Sequence, residues 1–491
     1  MLDVGLNVLL ITLDQFRADC LSAAGHPLVK TPNLDALAAS GVRFARHHSQ
    51  AAPCGPGRAS LYTGMYQMNH RVVANGSPLD MRFDTVALAA RRVGYRPAIF
   101  GYTDQSVDPR VTTGPDDPRL FTYNGILPGF DAVLDIPDDH GPWVTWLAGL
   151  GYDISVGYER LLATEHTRPA AHSVGAFLTD HALAWIRSQR EPWFAHLSYL
   201  RPHPPYSAAG RWSTMYDPAD TAPAIAPVPP AGRHRFHELV LTMPESVAPT
   251  DPAEVARMRA QYYGMISHVD HELGRLWDAL ERLDQWDDTI VLVTSDHGEM
   301  LGDHGLKQKL GYWEESYAIP CIVRHPHLAD AHGSVIERFT ENVDVMPTIC
   351  EALGVPVPAQ CDGYPLTPFL RGERPPWWRS ETHWEYDWRD RVIPYVGHAW
   401  PWDRKLERQH LAVHRTDSHA YVQFGDGDWL CFDLAADHTW RTTTTDPAVV
   451  LPLAQGMLTW RSQHTDRTLA DFITERGGVG RWPAMPDGWS R

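Results

Sequence analysis

Residues 290–299 read Ile-Val-Leu-Val-Thr-Ser-Asp-His-Gly-Glu, and residues 8–14 read Val-Leu-Leu-Ile-Thr-Leu-Asp. Each is a short apolar run that stops at an acid, Asp296 in one and Asp14 in the other, with His297 directly after Asp296. Runs apolar at every position suit strands buried on both faces of a sheet. In an open α/β sheet, ligands bind beyond the carboxyl ends of the strands. Asp14, Asp296 and His297 can therefore meet although they are far apart in the chain. A single strand-end aspartate is more often a turn or cap residue. Two carboxylates and an imidazole together suit a divalent cation.

Outward from these runs, helical and extended segments alternate. Thr31-Pro32-Asn33 opens a helix to about residue 40, and Gly41 stops it. The pattern predicts a helix over 85–93 leading to a strand over 96–102, and a helix over 172–190 leading to a strand over 193–199. Asp251-Pro252-Ala253-Glu254 has an N-cap, a first-position proline and an acid placed to close a capping box. That helix runs to about 283 and feeds the strand over 289–294. The alternation predicts an α/β fold, a mostly parallel sheet flanked by helices. The stretch 207–247, rich in Pro, Ala and Gly, reads as a surface excursion. Near the end, 419–424 and 429–434 flank Gly425-Asp426-Gly427-Asp428, a hairpin signal. We therefore expect a catalytic α/β domain over 1–374 and a smaller antiparallel α+β region over 375–491, with the hairpin and a terminal helix or tail.

The bulk values exclude some classes. The chain has 491 residues, more than one small core needs, and its 43% hydrophobic and 21% charged residues are ordinary globular values. A formal charge of −17 argues against nucleic acid or an anionic membrane as partner. An anionic substrate remains compatible, because a metal and a few basic side chains can make one site positive. No segment reaches the roughly 20 apolar residues of a membrane span. The opening run lacks a basic leader and a small-residue cleavage site, so it reads as a first buried strand. The six cysteines, at 20, 54, 321, 350, 361 and 431, form no CxxC pair, which fits free thiols and a cytoplasmic location.

The most specific stretch is Cys54-Gly55-Pro56-Gly57-Arg58, followed by Ala59-Ser60-Leu61-Tyr62-Thr63-Gly64. Pro56 fits a first helical turn, whose amide-rich end beside Cys54 suits an anion. Arg58, four residues on, shares a helix face with Cys54. A buried free cysteine is the plain alternative. This run resembles the signature of the sulfatase family, whose cysteine is converted to formylglycine. The resemblance continues through Thr31-Pro32-Asn33-Leu34-Asp35, Arg201-Pro202-His203-Pro204-Pro205, Ser295-Asp296-His297-Gly298-Glu299 and Asp344-Val345-Met346-Pro347-Thr348. Asp14-Gln15-Phe16-Arg17-Ala18-Asp19, Met68-Asn69-His70-Arg71, Gly101-Tyr102-Thr103 and His383-Trp384-Glu385-Tyr386-Asp387 are similar to the phosphonate monoester hydrolase and arylsulfatase branch.

The resemblance implies an alkaline-phosphatase-like fold and one divalent metal held by Asp14, Asp296, His297 and the formylglycine made from Cys54. Gln15 replaces a second aspartate common in the family, as a weak ligand or a lining residue, and His297 replaces an asparagine. This donor set favours Mn²⁺ over Ca²⁺, with Zn²⁺ also compatible. Arg58, Asn75 and Tyr102 are implied to stabilise the substrate's oxygens, and His203 and Lys309 to support the leaving oxygen. Asp104 stands where the branch carries threonine. It either pairs with a neighbouring base or faces the substrate and selects against a second negative charge. The implied chemistry is hydrolysis of monoanionic esters (aryl sulfates, phosphonate monoesters, some phosphate diesters) by a formylglycine hydrate through a covalent intermediate. Its second hydroxyl allows the carbonyl to reform and the product to leave, which a plain serine would not permit.

Two other readings stay open: a two-metal phosphatase or phosphodiesterase of the same superfamily, and a non-catalytic binding protein on this fold. Expected partners are a small anionic ester, a formylglycine-generating maturation enzyme and further copies of the chain. The pairs His268/His271, His47/His48 and His234/His237, and the 19 tryptophans, read as packing.

Overall fold

The computed structural model describes residues 5–391 and 404–465, together with 473–474 and 480–481. The strands of its two main sheets are, in chain order, β1 (Asn7–Leu13), β2 (Val42–His48), β3 (Ala51–Ala52), β4 (Ala98–Gly101), β5 (Asp131–Asp135), β6 (Phe194–Tyr199), β7 (Thr289–Thr294), β8 (Cys321–Arg324), β9 (Ser334–Glu341), β10 (Thr382–Asp387), β11 (His410–Arg415), β12 (His419–Phe424) and β13 (Trp429–Asp433). The larger sheet has the order β5-β4-β6-β1-β7-β8-β2-β9. Only β8 runs against its neighbours there.

β1 lies between β6 and β7, parallel to both. Every residue of β1, β6 and β7 is buried, which is why these strands read as unbroken apolar runs. The side chains alternate between two cores, as the strand period requires. Leu9, Ile11 and Leu13 join the cluster that includes residues of the helices Val174–Ser188 and Pro252–Arg282. Val8 and Leu10 join the cluster of the Cys54–Thr63 and Val345–Ala352 helices. The helix starts follow local chemistry. Thr85 caps through Leu88 N at 3.2 Å, Ser173 through Ala176 N at 3.0 Å and Asp251 through Ala253 N at 2.9 Å. Glu254 turns to Arg257, 3.8 Å away, so the capping belongs to Asp251.

The smaller sheet, β13-β12-β11-β10-β3, is antiparallel except where β10 pairs in parallel with β3. β3 thus carries the chain from the smaller sheet into the Cys54–Thr63 helix. The hairpin lies where the Gly-Asp-Gly-Asp run predicts it, with Gly427 at φ 100°. The Pro447–His464 helix packs Leu453, Met457 and Trp460 against Ala412 and Tyr421 of this sheet. The tail expected beyond residue 465 lies outside the described residues, apart from the paired segments Ile473–Thr474 and Gly480–Arg481. Among the described residues no helix is long and apolar enough to cross a membrane.

The stretch 207–247 is largely on the surface, as expected, but it is anchored at intervals. Its short Arg235–Val240 helix drives Phe236 and Val240 into an aromatic core with Trp313, Trp384, Trp388 and Phe424. Proline and glycine mark its irregular backbone, but apolar side chains at intervals pull it inward.

The first helix turn sits close to the end of β7. A Cβ added at Gly57 would lie 2.5 Å from the Asp296 carbonyl oxygen and 3.0 Å from that of Ala51, both backbone atoms. Gly149, at the end of the Gly141–Gly149 helix, has open space around it. We predict that Gly57→Ala destabilises by about 1–3 kcal/mol, while Gly149→Ala is neutral or slightly stabilising. Urea titration of both variants checks this, and equal stability of the two would contradict the close approach.

Candidate active site

The carboxyl ends of β1 and β7 are clamped together before they contribute any functional group. Ser295 Oγ donates to the Leu13 carbonyl at 2.6 Å and accepts from Phe16 N at 2.9 Å. Asp296 Oδ1 accepts from the backbone N–H groups of Gln15 (3.1 Å) and His297 (3.0 Å). The Cys54–Thr63 helix, buried along its whole length, brings its first residue to the same point. One ligand atom from each of Asp14, Cys54, Asp296 and His297 lies within 4.8 Å of the others, and all four residues are buried.

These donors fit a divalent cation. His297 Nδ1 donates to the Gly298 carbonyl at 3.1 Å, so its lone pair is on Nε2, 3.2 Å from Cys54 Sγ. Burial, opposed by Asp296, lowers the His297 pKa and keeps the ring neutral, as a ligand must be. Asp14 Oδ2 accepts from Arg58 Nη2 (3.0 Å) and Tyr102 OH (2.8 Å), while Oδ1 lies 4.0 Å from both Cys54 Sγ and His297 Nε2. Burial disfavours the Asp14 carboxylate, but the charges of Arg58 and Lys309, joined in acid by that of His203, outweigh it and hold its pKa well below the usual range. Burial, reinforced by Asp14, pushes the Cys54 thiol far above its ordinary value. This site therefore does not stabilise a thiolate.

Arg58 is held by the protein at all three of its nitrogens. Its Nε donates to Asp296 Oδ2 (3.0 Å), Nη2 to Asp14 Oδ2 (3.0 Å) and Nη1 to Ser198 Oγ (2.7 Å). Asp104 Oδ2 makes a third carboxylate contact at 3.2 Å. These donors tie the strand-end carboxylates together. Tyr102 likewise gives its hydroxyl hydrogen to Asp14. Asn75 Oδ1 accepts from Gly55 N at 2.8 Å, which leaves the hydrogens of Nδ2 for an anion. Asp104 does pair with a base, but with the base at the centre of the site. It sits at φ 51° with its side chain buried. Burial raises its pKa, Arg58 opposes this, and Asp14 and Asp296 push it up further, to about 7.

The Gln15 side chain bridges two buried charged groups beside the site. Its Oε1 accepts from Lys309 Nζ at 2.9 Å and its Nε2 donates to Glu299 Oε2. Lys309 also donates to His203 Nε2 at 2.9 Å. Burial and the Lys309 charge hold the His203 pKa down at about 3. Burial alone would lower the Lys309 pKa, but Cys54, Asp14 and Asp296 outweigh it and raise it. All the sequence-predicted site residues thus fall in one contact network. Glu299, Tyr206, Ser198 and Ser295 belong to it as well. Glu299 and Ser295 lie inside a quoted motif, whereas nothing in the sequence marks Tyr206 or Ser198.

The histidine pairs are packing. A second grouping, His234 with Asp426 and Asp428, joins a helix start to the hairpin. His234 Nδ1 accepts from Phe236 N at 3.1 Å, so Nε2 carries the hydrogen and donates to Asp426 at 3.2 Å. A metal would need a lone pair there. His268 and His271 stack on Trp212.

The comparisons with known proteins agree with this geometry. The Sulfatase family profile matches residues 6–355, and that of the N-sulphoglucosamine sulphohydrolase C-terminal region matches 302–439. The chain is 38% identical over 511 residues to the multifunctional alkaline phosphatase superfamily protein PehA of Trinickia caryophylli, covering 96% of this chain and 98% of that one. The crystal structure of phosphonate monoester hydrolase from Agrobacterium radiobacter superposes with a TM-score of 0.86 at 40% identity, covering 97% and 100% of the two chains. The phosphonate monoester hydrolase from Silicibacter pomeroyi superposes with a TM-score of 0.86 at 34% identity, covering 97% and 99%.

Asp104 supplies a pH test. The folded state holds its proton up to about pH 7, whereas the unfolded chain releases it near 3.8. The stability it contributes is therefore fully present below the unfolded value and is lost as pH rises through about 7. In metal-free protein, Asp104→Asn should gain melting temperature relative to wild type progressively from pH about 4 to about 7, then hold that gain. A difference that stays constant across this range would contradict the assignment.

Proposed function

Because the chain belongs to the sulfatase family of the alkaline phosphatase superfamily and is a hydrolase of that family, we propose that it cleaves monoanionic esters with a formylglycine at position 54. Aryl sulfates and phosphonate monoesters are the leading substrates, with phosphate diesters behind them. The observation that carries this reading is the buried convergence of Asp14, Cys54, Asp296 and His297 at the end of β1 and β7. The names of the two superposed hydrolases support phosphonate monoesters. The reading adds a maturation enzyme that oxidises Cys54 and further copies of the chain as partners. The six free cysteines support a reducing, cytoplasmic setting.

Two carboxylates, an imidazole and the residue-54 oxygen would hold one divalent ion, Mn²⁺ before Ca²⁺ or Zn²⁺. Bound there, it would supply Lewis acidity to the nucleophile and the ester. In the unmodified chain, Cys54 Sγ marks the position of the formylglycine hydroxyls. Arg58 and Tyr102 fix the Asp14 carboxylate, and Arg58 also fixes Asp296. Asn75 Nδ2 and Lys309 supply donors to the ester's oxygens. Lys309, backed by His203, is placed to support the leaving oxygen.

The charge balance sets substrate preference. Three carboxylates, those of Asp14, Asp104 and Asp296, surround one guanidinium. A dianionic phosphate monoester adds more negative charge to this set than a sulfate or phosphonate does. Protein co-produced with a formylglycine-generating enzyme should show the aldehyde or its hydrate at residue 54 by peptide mass spectrometry. Cys54→Ala should lose at least about a thousandfold in kcat/KM. Matched aryl sulfates and phosphonates should outpace the aryl phosphate at pH about 7–8, with Asp104→Thr narrowing that gap. Full activity from unmodified cysteine would sink the formylglycine mechanism. Phosphate monoesters turning over best would refute the substrate assignment.

A further inference from the structure

Glu299 lies two residues past His297 and is completely buried. Four donors converge on its carboxylate. Oε1 accepts from the backbone N–H groups of Leu301, at 2.9 Å, and Gln308. Oε2 accepts from Tyr206 OH, at 3.0 Å, and from Gln15 Nε2. Across the Gln15 amide stands the Lys309 ammonium. A carboxylate only accepts and an ammonium only donates. Gln15 therefore has one complementary orientation between them, its NH₂ to Glu299 and its carbonyl to Lys309. The reverse would set NH₂ against NH₃⁺ and a carbonyl against a carboxylate.

That orientation matters for Lys309. Its ammonium has three N–H groups. One goes to Gln15 Oε1 at 2.9 Å. A second goes to His203, whose Nδ1 donates to the Pro204 carbonyl at 2.7 Å and whose Nε2 therefore accepts. With two hydrogens fixed, tetrahedral geometry sets the third, and the ammonium charge acts on Cys54, Asp14 and Asp296.

We propose that Glu299, steadied by Tyr206, is a positioning residue for the hydrolysis, fixing the polarity of the Gln15 amide and so aiming the free N–H of Lys309 at the reacting centre on residue 54. The assignment rests on the ester-hydrolase reading above. It concerns a side chain that hydrogen-bonds to Gln15 and to none of Asp14, Cys54, Asp296 and His297.

Glu299→Gln is the informative variant because its outcome is determined by the surroundings. The N–H groups of Leu301 and Gln308 force the new carbonyl to their side, so the new NH₂ faces Gln15. Gln15 must then flip and present its own NH₂ to Lys309. With metal-loaded full-length protein and p-nitrophenyl sulfate, kcat should fall by roughly tenfold to a hundredfold. Metal content and melting temperature should stay at wild-type values. In a Lys309→Ala background, the same change should cost less than about twofold. Combining Glu299→Gln with Gln15→Glu restores an acceptor facing Lys309 at unchanged net charge, and should recover most of the lost rate. A purely structural Glu299 would give losses that multiply with those of Lys309→Ala and that Gln15→Glu does not rescue; either result overturns the proposal, as does an unchanged kcat in Glu299→Gln. Peptide mass spectrometry of residue 54 in the same samples separates this from the parent reading. An unmodified cysteine in active wild type removes the formylglycine and leaves the variant ratios to judge Glu299.

Discussion

The guanidinium of Arg58, wholly buried between Asp14 and Asp296 with Asp104 beside them, is the interaction on which the site depends. Without it, the ends of β1 and β7 would hold two unshielded carboxylates in a low-dielectric interior. Removing one partner of such a buried set typically costs about 3–5 kcal/mol, because the remaining charge is left uncompensated. Arg58 reaches this position because it is four residues into the helix that begins at Cys54. The same turn of helix therefore places Cys54 and sets a cation between the two strand-end acids. The cation also links the site to the rest of the sheet, through Ser198 at the end of β6.

The sheet order makes this arrangement possible. β6, β1 and β7 are adjacent and parallel, so their carboxyl ends open on one side. β6 leads into the loop carrying His203. β7 leads into Asp296, His297 and Glu299, and the loop returns to bring Lys309 across to Gln15. The short β3 joins the smaller sheet just before Cys54, so the C-terminal strands buttress the approach to the nucleophile. The aromatic core of Trp313, Trp384, Tyr386 and Phe236 fills the space between these parts.

Much of this was legible in the sequence, for identifiable reasons. Asp14, Asp296 and His297 follow apolar runs whose continuity marks strands buried on both faces, and strand ends are where ligands bind. Cys54 and Arg58 are separated by one helical turn, so spacing alone aligns them. The contacts of Arg58 with Ser198 and Asp104 were not legible, because both residues lie far from it in the chain. Nor was the orientation of Gln15. Its chemistry suggested a weak ligand or a lining residue, and nothing in the sequence showed the ammonium on one side and the buried carboxylate on the other. The surface course of 207–247 was legible from its Pro and Gly, but its anchors at Phe236 and Val240 were not, because irregular backbone says nothing about depth. His234 and Asp426 show the reverse case, a metal-like grouping that the helix cap at Phe236 N turns into a hydrogen-bonded anchor.

We propose that a single ion is held by Asp14, residue 54, Asp296 and His297, with the Arg58 guanidinium paired to both acids beside it. Elemental analysis of active protein, run in parallel on wild type and on Asp296→Ala and His297→Ala, tests it most directly. The account predicts one tightly bound divalent metal per wild-type chain, and loss of metal and turnover together in both variants. Two tightly bound metals per active chain, or full metal content in inactive Asp296→Ala, would contradict it.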